Sequence, residues 1–381
     1  MDSSSRDWQA LADDSAPVPL DLLPPPNQAA PTIGHVGRYA LKRRLGEGGL
    51  GRVYTAWDPI LSRNLAIKTL QLGASGVHRE ALDALILDEA RAVAGLNHPN
   101  IVTVYDAGRS ELGVYIAMEQ LPGSDLRQLL SEGWRPEPLR AAKLMRRVAD
   151  ALAYAHGKGV IHCDIKPANI LLIDRRKPKV LDFGIARVAH RAGNSALDGL
   201  ITGSPHYLAP EQLRGGTPDA RSDVYSMGVV LYELLTGRKA FGGKSIQEIA
   251  DAVLQGRPVP VHALSPGVPV ELSAIVTKAM ALEPGQRHAS ARDLSMALRQ
   301  WMSCVTAPDH IGGAVWNPQH AVPAASAARS ATLANARSTA RPDPAPAAPP
   351  ADATGRGRSL TLVAAVALVL LGAVVLWLRV R

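Results

Sequence analysis

The stretch VIHCDIKPANILL, residues 160–172, limits the possible folds most strongly, because it places ionisable side chains inside an apolar run. Asp164, Lys166 and Asn169 interrupt a segment whose two ends are rich in Val, Ile and Leu. The apolar ends predict a buried strand–loop–strand, where an uncompensated carboxylate or ammonium is costly. The fold must therefore bring a ligand or a partner that compensates these groups.

Composition narrows the class of protein. The 381 residues suffice for one large domain or for two to three average ones, and the 4% aromatic content with 29 Pro and 33 Gly indicates that part of the chain is linker. The net charge of +8 permits contact with nucleic acid or anionic lipid, but no dense Lys/Arg block occurs, so we expect no nucleic-acid partner. Cys163 and Cys304 are too few for a disulfide framework or a four-ligand zinc site, which is typical of a reducing, cytosolic compartment.

The chain divides into regions of different character. Residues 1–36 are polar and proline-rich without the features of a signal peptide, and we predict a disordered arm. Strand-like and helix-like patterns alternate over residues 37–302, which predicts one large domain or two fused lobes. Residues 303–358 are rich in Ala, Pro and Ser, which predicts an extended linker.

An uncharged apolar run, Leu360–Leu378, follows the linker. A helix of that length spans about 28 Å, close to the thickness of a bilayer core. We therefore predict a transmembrane helix over residues 359–378 and a short extracytoplasmic tail, 379–381, in a single-pass protein of the cell (inner or plasma) membrane. The alternative, a buried soluble helix, would have no neighbouring element to pack on.

The glycine-rich segment LGEGGLGRVYTAWD begins at Leu45. Gly46, Gly48 and Gly51 would let backbone N–H groups approach phosphates, although this spacing alone also fits a glycine-rich hairpin turn. A dinucleotide-binding fold requires a helix directly after the glycines, whereas here the pattern RVYTAWD predicts a strand. The segment therefore predicts a hairpin loop that covers a nucleotide.

Lys68, in LAIKTL, lies on the strand predicted after this hairpin, within reach of phosphates beneath the loop. A buried lysine needs an anion, and Glu89 on the next predicted helix is the best candidate. Taken singly, Lys68 could be a surface lysine on an edge strand and Glu89 a solvated helix residue.

The polar residues of the opening stretch suit phosphoryl transfer. Asp164 could accept a proton from an attacking hydroxyl, Lys166 could neutralise transferred phosphate, and Asn169 could ligate a metal ion. Asp182, at the end of the apolar strand in KVLDFGIAR, adds a second carboxylate of the kind Mg²⁺ prefers. Each residue has a structural alternative, such as a turn cap or a surface ion pair, but jointly these alternatives are improbable.

In this order the motifs resemble the protein-kinase signature set over residues 37–301, and specifically the eukaryotic-like serine/threonine kinases of bacteria that are membrane-anchored. The resemblance implies an α+β bilobal fold, with a small β-rich N-lobe at about residues 37–120 and a larger helical C-lobe at about 121–302. It implies ATP and Mg²⁺ as cofactors, with Mn²⁺ as an alternative metal, and proteins as substrates.

The resemblance also assigns roles to residues. Lys68 would contact the α- and β-phosphates while paired to Glu89, Asp164 would be the catalytic base assisted by Lys166, and Asn169 and Asp182 would hold Mg²⁺. Met118 and Glu119 would begin the hinge that binds adenine. The implied ATP-binding residues are Leu45, Gly46, Glu47, Gly48, Gly49, Leu50, Gly51, Val53, Ala66, Lys68, Met118, Glu119, Leu121 and Leu171.

Further motifs bear on the substrate and on the C-lobe. The sequences APE at Ala209–Glu211 and DVYSMG from Asp223 imply a platform for a protein substrate, and Lys166 in DIKPAN is a mark of serine/threonine specificity. The resemblance implies that Arg287 pairs with Glu211 and that Asp223 braces the catalytic loop. Autophosphorylation is expected, and homodimer formation is open.

Cys163 departs from the family pattern, because most relatives carry an arginine that binds a phosphorylated residue of the activation segment. The candidate hydroxyls in that segment are few: Ser195, Thr202 and Ser204, of which Ser204 is expected to have a positioning role. We hypothesise that activity depends little on phosphorylation of the segment. Cys163 would then be a small filler, with a redox-sensitive group as the alternative.

Two other classes of function remain. A membrane-tethered pseudokinase scaffold would keep the fold without turnover, but pseudokinases typically lack one or more of the catalytic residues found here. A purely structural membrane anchor would leave the catalytic set unexplained. Because ATP is cytosolic, residues 1–358 are expected on the cytoplasmic side.

Overall fold

The computed structural model describes residues 30–48, 51–70, 77–183 and 205–306. Most of the predicted arm, nearly all of the predicted linker and the whole predicted transmembrane helix lie outside these ranges, as do Gly49, Leu50, Ser195, Thr202 and Ser204. In the described part of the chain, no helix combines the length and the apolarity that crossing a membrane requires.

The N-terminal half is built around a six-stranded antiparallel sheet with the strand order β1-β2-β3-β4-β6-β5. Its strands are β1 (Gly34–Val36), β2 (Tyr39–Gly48), β3 (Gly51–Asp58), β4 (Arg63–Leu70), β5 (Val104–Ser110) and β6 (Gly113–Met118). Helix α1 (Val77–Ala94) lies between β4 and β5 in the chain and packs on the sheet. The predicted β-rich N-lobe is confirmed.

Burial explains the pattern of these elements. Every residue of β6 is buried, as expected for a strand covered on both faces, and its sequence GVYIAM is accordingly a continuous apolar run. Helix α1 contributes Leu82, Ile86 and Ala90 to the same core. At the β3–β4 connection, Asp58 is fully buried and its Oδ1 accepts hydrogen bonds from the N–H groups of Ile60 and Leu61, which fixes the turn between the two strands.

The C-terminal half is mostly helical, which confirms the predicted C-lobe. Its helices are α2 (Leu126–Ser131), α3 (Pro138–Gly157), α4 (Pro210–Leu213), α5 (Ala220–Thr236), α6 (Ile246–Gln255), α7 (Val261–Leu264), α8 (Val270–Ala279) and α9 (Ala291–Thr306). A small sheet contains β7 (Ser124–Asp125), β8 (Ile170–Ile173) and β9 (Lys177–Val180). Helix α5 is buried along nearly its whole length, so its apolar sequence belongs to the core.

Two predicted boundaries shift. Strand β1 begins at Gly34, inside the predicted arm, because Gly34–Val36 pairs with the start of β2. Helix α9 continues to Thr306, beyond the predicted domain end at residue 302, and Met302 still packs against the C-lobe core. The folded domain is therefore slightly longer at both ends than the composition indicated.

The hairpin of β8 and β9 positions the candidate site. A short 3₁₀ turn, Pro167–Asn169, leads directly into β8, and β9 ends next to Leu181 and Asp182. The N–H of Leu181 donates to the carbonyl of Asn169 at 2.9 Å. The two polar segments that are 18 residues apart in the sequence are thus held side by side at the open end of one hairpin.

Candidate active site

Two glycines of the β2–β3 hairpin, Gly46 and Gly51, differ in their surroundings. Gly51 has φ +147°, and a Cβ on it would lie 1.8 Å from the carbonyl oxygen of Thr69, so only glycine fits the protein's own packing. Gly46 has no atom within 4 Å of the position of an added Cβ. The absence of a side chain at Gly46 therefore leaves open space beside the hairpin.

Lys68 lies in the middle of the sheet, where β4 pairs it with Val53 on one side and Ile116 on the other. It is 9% exposed, and its Nζ lies 2.7 Å from Oδ2 of Asp182. A carboxylate at this distance compensates the charge of a buried ammonium. The structure therefore brings together two of the predicted site residues from opposite halves of the domain.

Among the described residues, Lys68 forms its ion pair with Asp182 and not, as expected, with Glu89. Asp182 has φ +59°, a left-handed backbone conformation at the end of the hairpin that accompanies the approach of its side chain to β4. Glu89 is buried on α1 and lines a cavity of about 20 Å³ together with Met118 and Phe183. That volume is roughly enough for one water molecule.

The electrostatics favour an ionised Asp182. Burial alone would raise the pKa of Asp182, but the charge and hydrogen bond of Lys68 outweigh it, and the net pKa lies below the ordinary value of a carboxyl group. His162 and Lys166 act in the same direction. Asp182 is thus a carboxylate under ordinary conditions, as a metal ligand must be.

Asp164, Lys166 and Asn169 converge at the start of the hairpin. Lys166 Nζ lies 2.7 Å from Asp164 Oδ2, and Asn169 Nδ2 donates to the Asp164 carbonyl at 2.8 Å and to Oδ2 at 3.1 Å. Because the NH₂ group of the Asn169 amide is directed at Asp164, its Oδ1 is directed elsewhere and can act as an oxygen ligand. The cost of placing these groups among apolar residues is thus partly met by their mutual contacts.

His162 connects the two polar segments, a role that the sequence analysis missed. Its Nδ1 accepts from the N–H of Asp164 at 3.2 Å, so Nε2 carries the proton and donates to the carbonyl of Leu181 at 2.8 Å. Its ring centroid lies 4.6 Å from that of Phe183. The sequence feature that could have revealed this role is the position of His162, two residues before Asp164.

Asp223 holds the backbone of residues 160–172, here called the catalytic stretch. This fully buried carboxylate accepts from the N–H of His162 at 2.9 Å, from the N–H of Cys163 at 2.8 Å and from Nε2 of His156 at 2.7 Å. Cys163 is 1% exposed with φ +64°, and its carbonyl accepts from Gln212 Nε2 at 2.9 Å. His156 and Gln212 were not identified from the sequence, because their roles depend on contacts that are distant in the chain.

The candidate hinge follows β6. The side chain of Glu119 is held at 2.8 Å by the N–H of Thr103 and at 2.6 Å by Lys179, so it braces this segment from one side. Val53 and Leu121 pack against the core that contains Ala66 and Met118.

Three predicted nucleotide-contacting residues remain partly accessible. Leu45 is exposed and Leu171 is half-buried. Glu47 is also exposed and pairs with Arg44 at 2.9 Å and Arg52 at 3.0 Å, so its carboxylate is engaged on the hairpin itself.

Comparison with known sequences decides the family. The protein kinase domain model matches residues 39–296. The chain belongs to the protein kinase family. Its kinase domain is related to those of bacterial serine/threonine kinases.

Two relatives illustrate this similarity. The chain is 40% identical over 262 residues to the serine/threonine-protein kinase PknB of Mycobacterium tuberculosis, which covers 68% of this chain and 42% of PknB. It is 37% identical over 263 residues to PrkC of Bacillus subtilis, covering 69% of this chain and 40% of PrkC. The chain thus matches about two fifths of the length of these relatives.

A solved structure shows the same fold. The kinase domain of Mycobacterium tuberculosis PknI superimposes with a TM-score of 0.57 at 25% identity, covering 71% of this chain and 98% of the PknI domain. The two-lobed architecture of the kinase domain is therefore shared with a solved structure over nearly the whole length of the solved domain.

The C-lobe of the kinase domain contains a second charged centre. Arg287 and Glu211 form two hydrogen bonds of 2.8 Å each, and Ser222 Oγ donates to Glu211 at 2.6 Å. Burial alone would raise the pKa of Glu211, but the hydrogen bonds from Arg287 and Ser222 lower it on balance. This centre lies at the start of α4 and α5 and supports the backbone rather than the candidate catalytic groups.

Proposed function

We propose that this protein is an active serine/threonine kinase that transfers the γ-phosphoryl group of ATP to hydroxyl groups of proteins. The observation that carries the proposal is the convergence of Asp164, Lys166 and Asn169 with the Lys68–Asp182 pair at the open end of one hairpin. A scaffold has no need for two ion pairs that each combine an ammonium with a carboxylate, Lys68–Asp182 and Lys166–Asp164.

The residues fit ATP and Mg²⁺. The open space at Gly46 suits phosphates, Oδ1 of Asn169 and the carboxylate of Asp182 are hard oxygen ligands, and Lys68 is in reach of the same region. Mg²⁺, when bound with ATP, supplies positive charge that neutralises the phosphate oxygens during transfer. Met118, Glu119 and Leu121 would contact adenine, with Val53, Ala66 and Leu171 as apolar walls.

In the proposed mechanism Asp164 accepts the proton of the substrate hydroxyl. Lys166, 2.7 Å from Asp164, keeps that carboxylate oriented and supplies positive charge where the phosphoryl group passes. The hydrogen bonds of Asn169 and His162 to Asp164 limit its movement, so that the base is positioned before the substrate arrives. Lys68 would move between Asp182 and Glu89 as nucleotide binds.

We propose further that the kinase is tethered to the cell membrane through Leu360–Leu378, with the kinase domain in the cytoplasm. The length and apolarity of this run support the tether, and cytosolic ATP requires the kinase domain to be inside. Arg356 and Arg358 agree with the positive-inside tendency, whereas Arg379 and Arg381 weaken that signal. Autophosphorylation is part of the proposal.

Regulation is proposed to depend little on phosphorylation of the activation segment. The side chain of Cys163 is buried, and a thiol cannot make the bidentate phosphate contact of an arginine. The catalytic stretch is instead held by Asp223 and Gln212 through the backbone of Cys163.

The test is phosphorylation by the full chain in detergent micelles, with labelled ATP, Mg²⁺ and a basic acceptor protein. Transfer of label to serine or threonine is expected, and the Asp164→Asn variant should lose it while still binding ATP. A pseudokinase would give equal, background-level transfer for both proteins and would overturn the proposal.

A further inference from the structure

A basic patch on the C-lobe takes no part in the proposed catalytic chemistry. It consists of Arg140, Lys143 and Arg147 on α3 and of Arg175 and Arg176 in the turn between β8 and β9. Helix positions 140, 143 and 147 fall within an arc of roughly 60°, so the three α3 side chains share one face. All five side chains are exposed or half-buried.

Contacts between the two elements hold the patch together. Arg140 Nη2 donates to the carbonyl of Arg175 at 3.0 Å, and Arg147 Nη1 donates to the carbonyl of Arg176 at 3.1 Å. These two bonds orient the guanidinium groups of α3 towards the turn.

Among the described residues, Glu132 lies 4.0 Å from Arg175, and Glu137 and Asp174 are close to the patch in sequence. These three acidic side chains are fewer than the five cations, so the described side chains give the basic patch a net positive charge. The ring of Trp134 lies 5.5 Å from the guanidinium of Arg140 and adds a half-buried aromatic group beside it.

The turn in the basic patch is strained. Asp174 and Arg175 have φ +53° and +55°, and the N–H of Arg176 donates to the carbonyl of Ile173 at 2.9 Å, which closes a tight hairpin turn. Turns of this type prefer Asn-Gly, because a side chain is unfavourable in the left-handed region. Arg175 thus occupies a position that such turns usually give to glycine.

The basic patch is separate from the catalytic groups. The β8–β9 hairpin has Asn169 and Leu181 at its open end and the strained turn at its other end. Four residues of strand separate the two ends by about 13 Å. Changes in the turn can therefore alter surface charge without changing a group that contacts nucleotide.

We propose that the basic patch docks the kinase domain on the anionic lipid surface of the membrane in which Leu360–Leu378 is anchored. This inference rests on the proposed membrane tether. Residues 307–359 connect the kinase domain to this run along the chain, so a tether at the run would limit how far the domain can move from the bilayer. Clustered cations are attracted to anionic lipid only within about 10 Å of the surface, so the tether would supply the proximity that five cations need.

The test uses the full chain reconstituted in nanodiscs, either of phosphatidylcholine alone or with about 30% phosphatidylglycerol. Phenylglyoxal modifies accessible arginines, and mass spectrometry gives the modification rate at each one. We expect Arg175 and Arg176 to react at least about fivefold more slowly in the anionic discs, and the protection to vanish at high salt. Exposed Arg257, on the segment after α6, serves as the internal reference and should react equally in both discs.

A matched pair of double variants sharpens the test. Arg175→Gln with Arg176→Gln should abolish the lipid-dependent protection of Arg140, whereas Arg214→Gln with Lys244→Gln removes the same charge at other exposed positions and should leave it intact. Kinase activity of both variants in detergent reports that they fold.

Several outcomes would overturn the proposal. Equal reactivity of Arg175 in the two discs excludes docking, and equal protection of Arg257 indicates unspecific adsorption. Protection by added polyglutamate but not by anionic lipid would assign the basic patch to an acidic protein. Failure of the chain to float with phosphatidylcholine vesicles would instead refute the membrane tether itself, so the two proposals fail separately.

Discussion

Arg287 and Glu211 are 76 residues apart in the chain, yet their side chains form a bidentate ion pair. It consists of two hydrogen bonds, each with an N···O distance of 2.8 Å. The remaining donors of Arg287 bond to the carbonyls of Ala281, Arg221 and Leu282, so this buried guanidinium is fully engaged. A buried charge with every donor satisfied holds its surroundings in one arrangement, and here it fixes the segment before α9 against the start of α4 and α5.

Removing the carboxylate from this pair should destabilise the kinase domain. In Glu211→Gln the guanidinium remains buried without its counter-charge, and we expect a loss of about 3 kcal/mol in the free energy of unfolding. Urea unfolding of the full chain in detergent measures it. The exposed pair of Arg91 and Asp88 is the control, and Asp88→Asn should cost less than about 0.5 kcal/mol. Equal effects of the two variants would contradict a structural role for Glu211.

His288 should make stability depend on pH. Burial lowers the pKa of His288 to about 4, below its ordinary value of 6.5. Between these values the unfolded chain binds a proton that the folded domain does not, so stability is complete above pH 6.5 and falls as the pH decreases towards 4. The full effect is about 3 kcal/mol.

The free energy of unfolding, measured between pH 7 and pH 5, separates the effect of His288 from that of the carboxylates. The pKa of Glu211 is lowered from an ordinary 4.5, so its contribution is lost only at lower pH. The His288→Gln variant should have a flatter stability profile over this window than the unmodified protein. Identical slopes for the two proteins would refute the assignment.

Gly46 and Gly51 should respond differently to alanine. Gly51→Ala forces a side chain against the carbonyl of Thr69 at φ +147°, so we expect the hairpin to lose at least about 2 kcal/mol of stability. Gly46→Ala meets open space and should leave the unfolding midpoint unchanged. If Gly46 faces the phosphates, the same variant should raise KM for ATP severalfold. An unaltered KM would show that the opening beside Gly46 is not used by nucleotide.

The presence of Cys163 predicts weak dependence on activation-segment phosphorylation. Initial rates before and after phosphatase treatment should agree within about threefold, because no arginine at this position requires a phosphate partner. Mass spectrometry of the treated protein verifies that Ser195 and Thr202 are unmodified. A decrease of about a hundredfold or more would show that another cation binds the phosphate.

The sequence predicted the strands on both sides of the glycine loop, because each is a short apolar run bounded by turn residues. β3 ends at Asp58, β4 carries Lys68, and α1 contains Glu89, as expected. The pattern of buried and exposed positions is local, so it can be recognised without knowing the fold. Boundaries were less accurate, since β1 and the end of α9 are stabilised by contacts with distant elements.

The sequence by itself determined the order and spacing of the glycine loop, Lys68, Asp164 and Asp182, and with them the α+β class and the family. Only the tertiary structure decided that Lys68 pairs with Asp182 in this conformation, and that His162 and Asp223 hold the catalytic stretch. The physical reason is that these contacts join residues that are far apart in the sequence. A motif is encoded by neighbouring residues, whereas an ion pair forms between whichever opposite charges the packing of β4, α1 and the β8–β9 hairpin brings within a few ångströms.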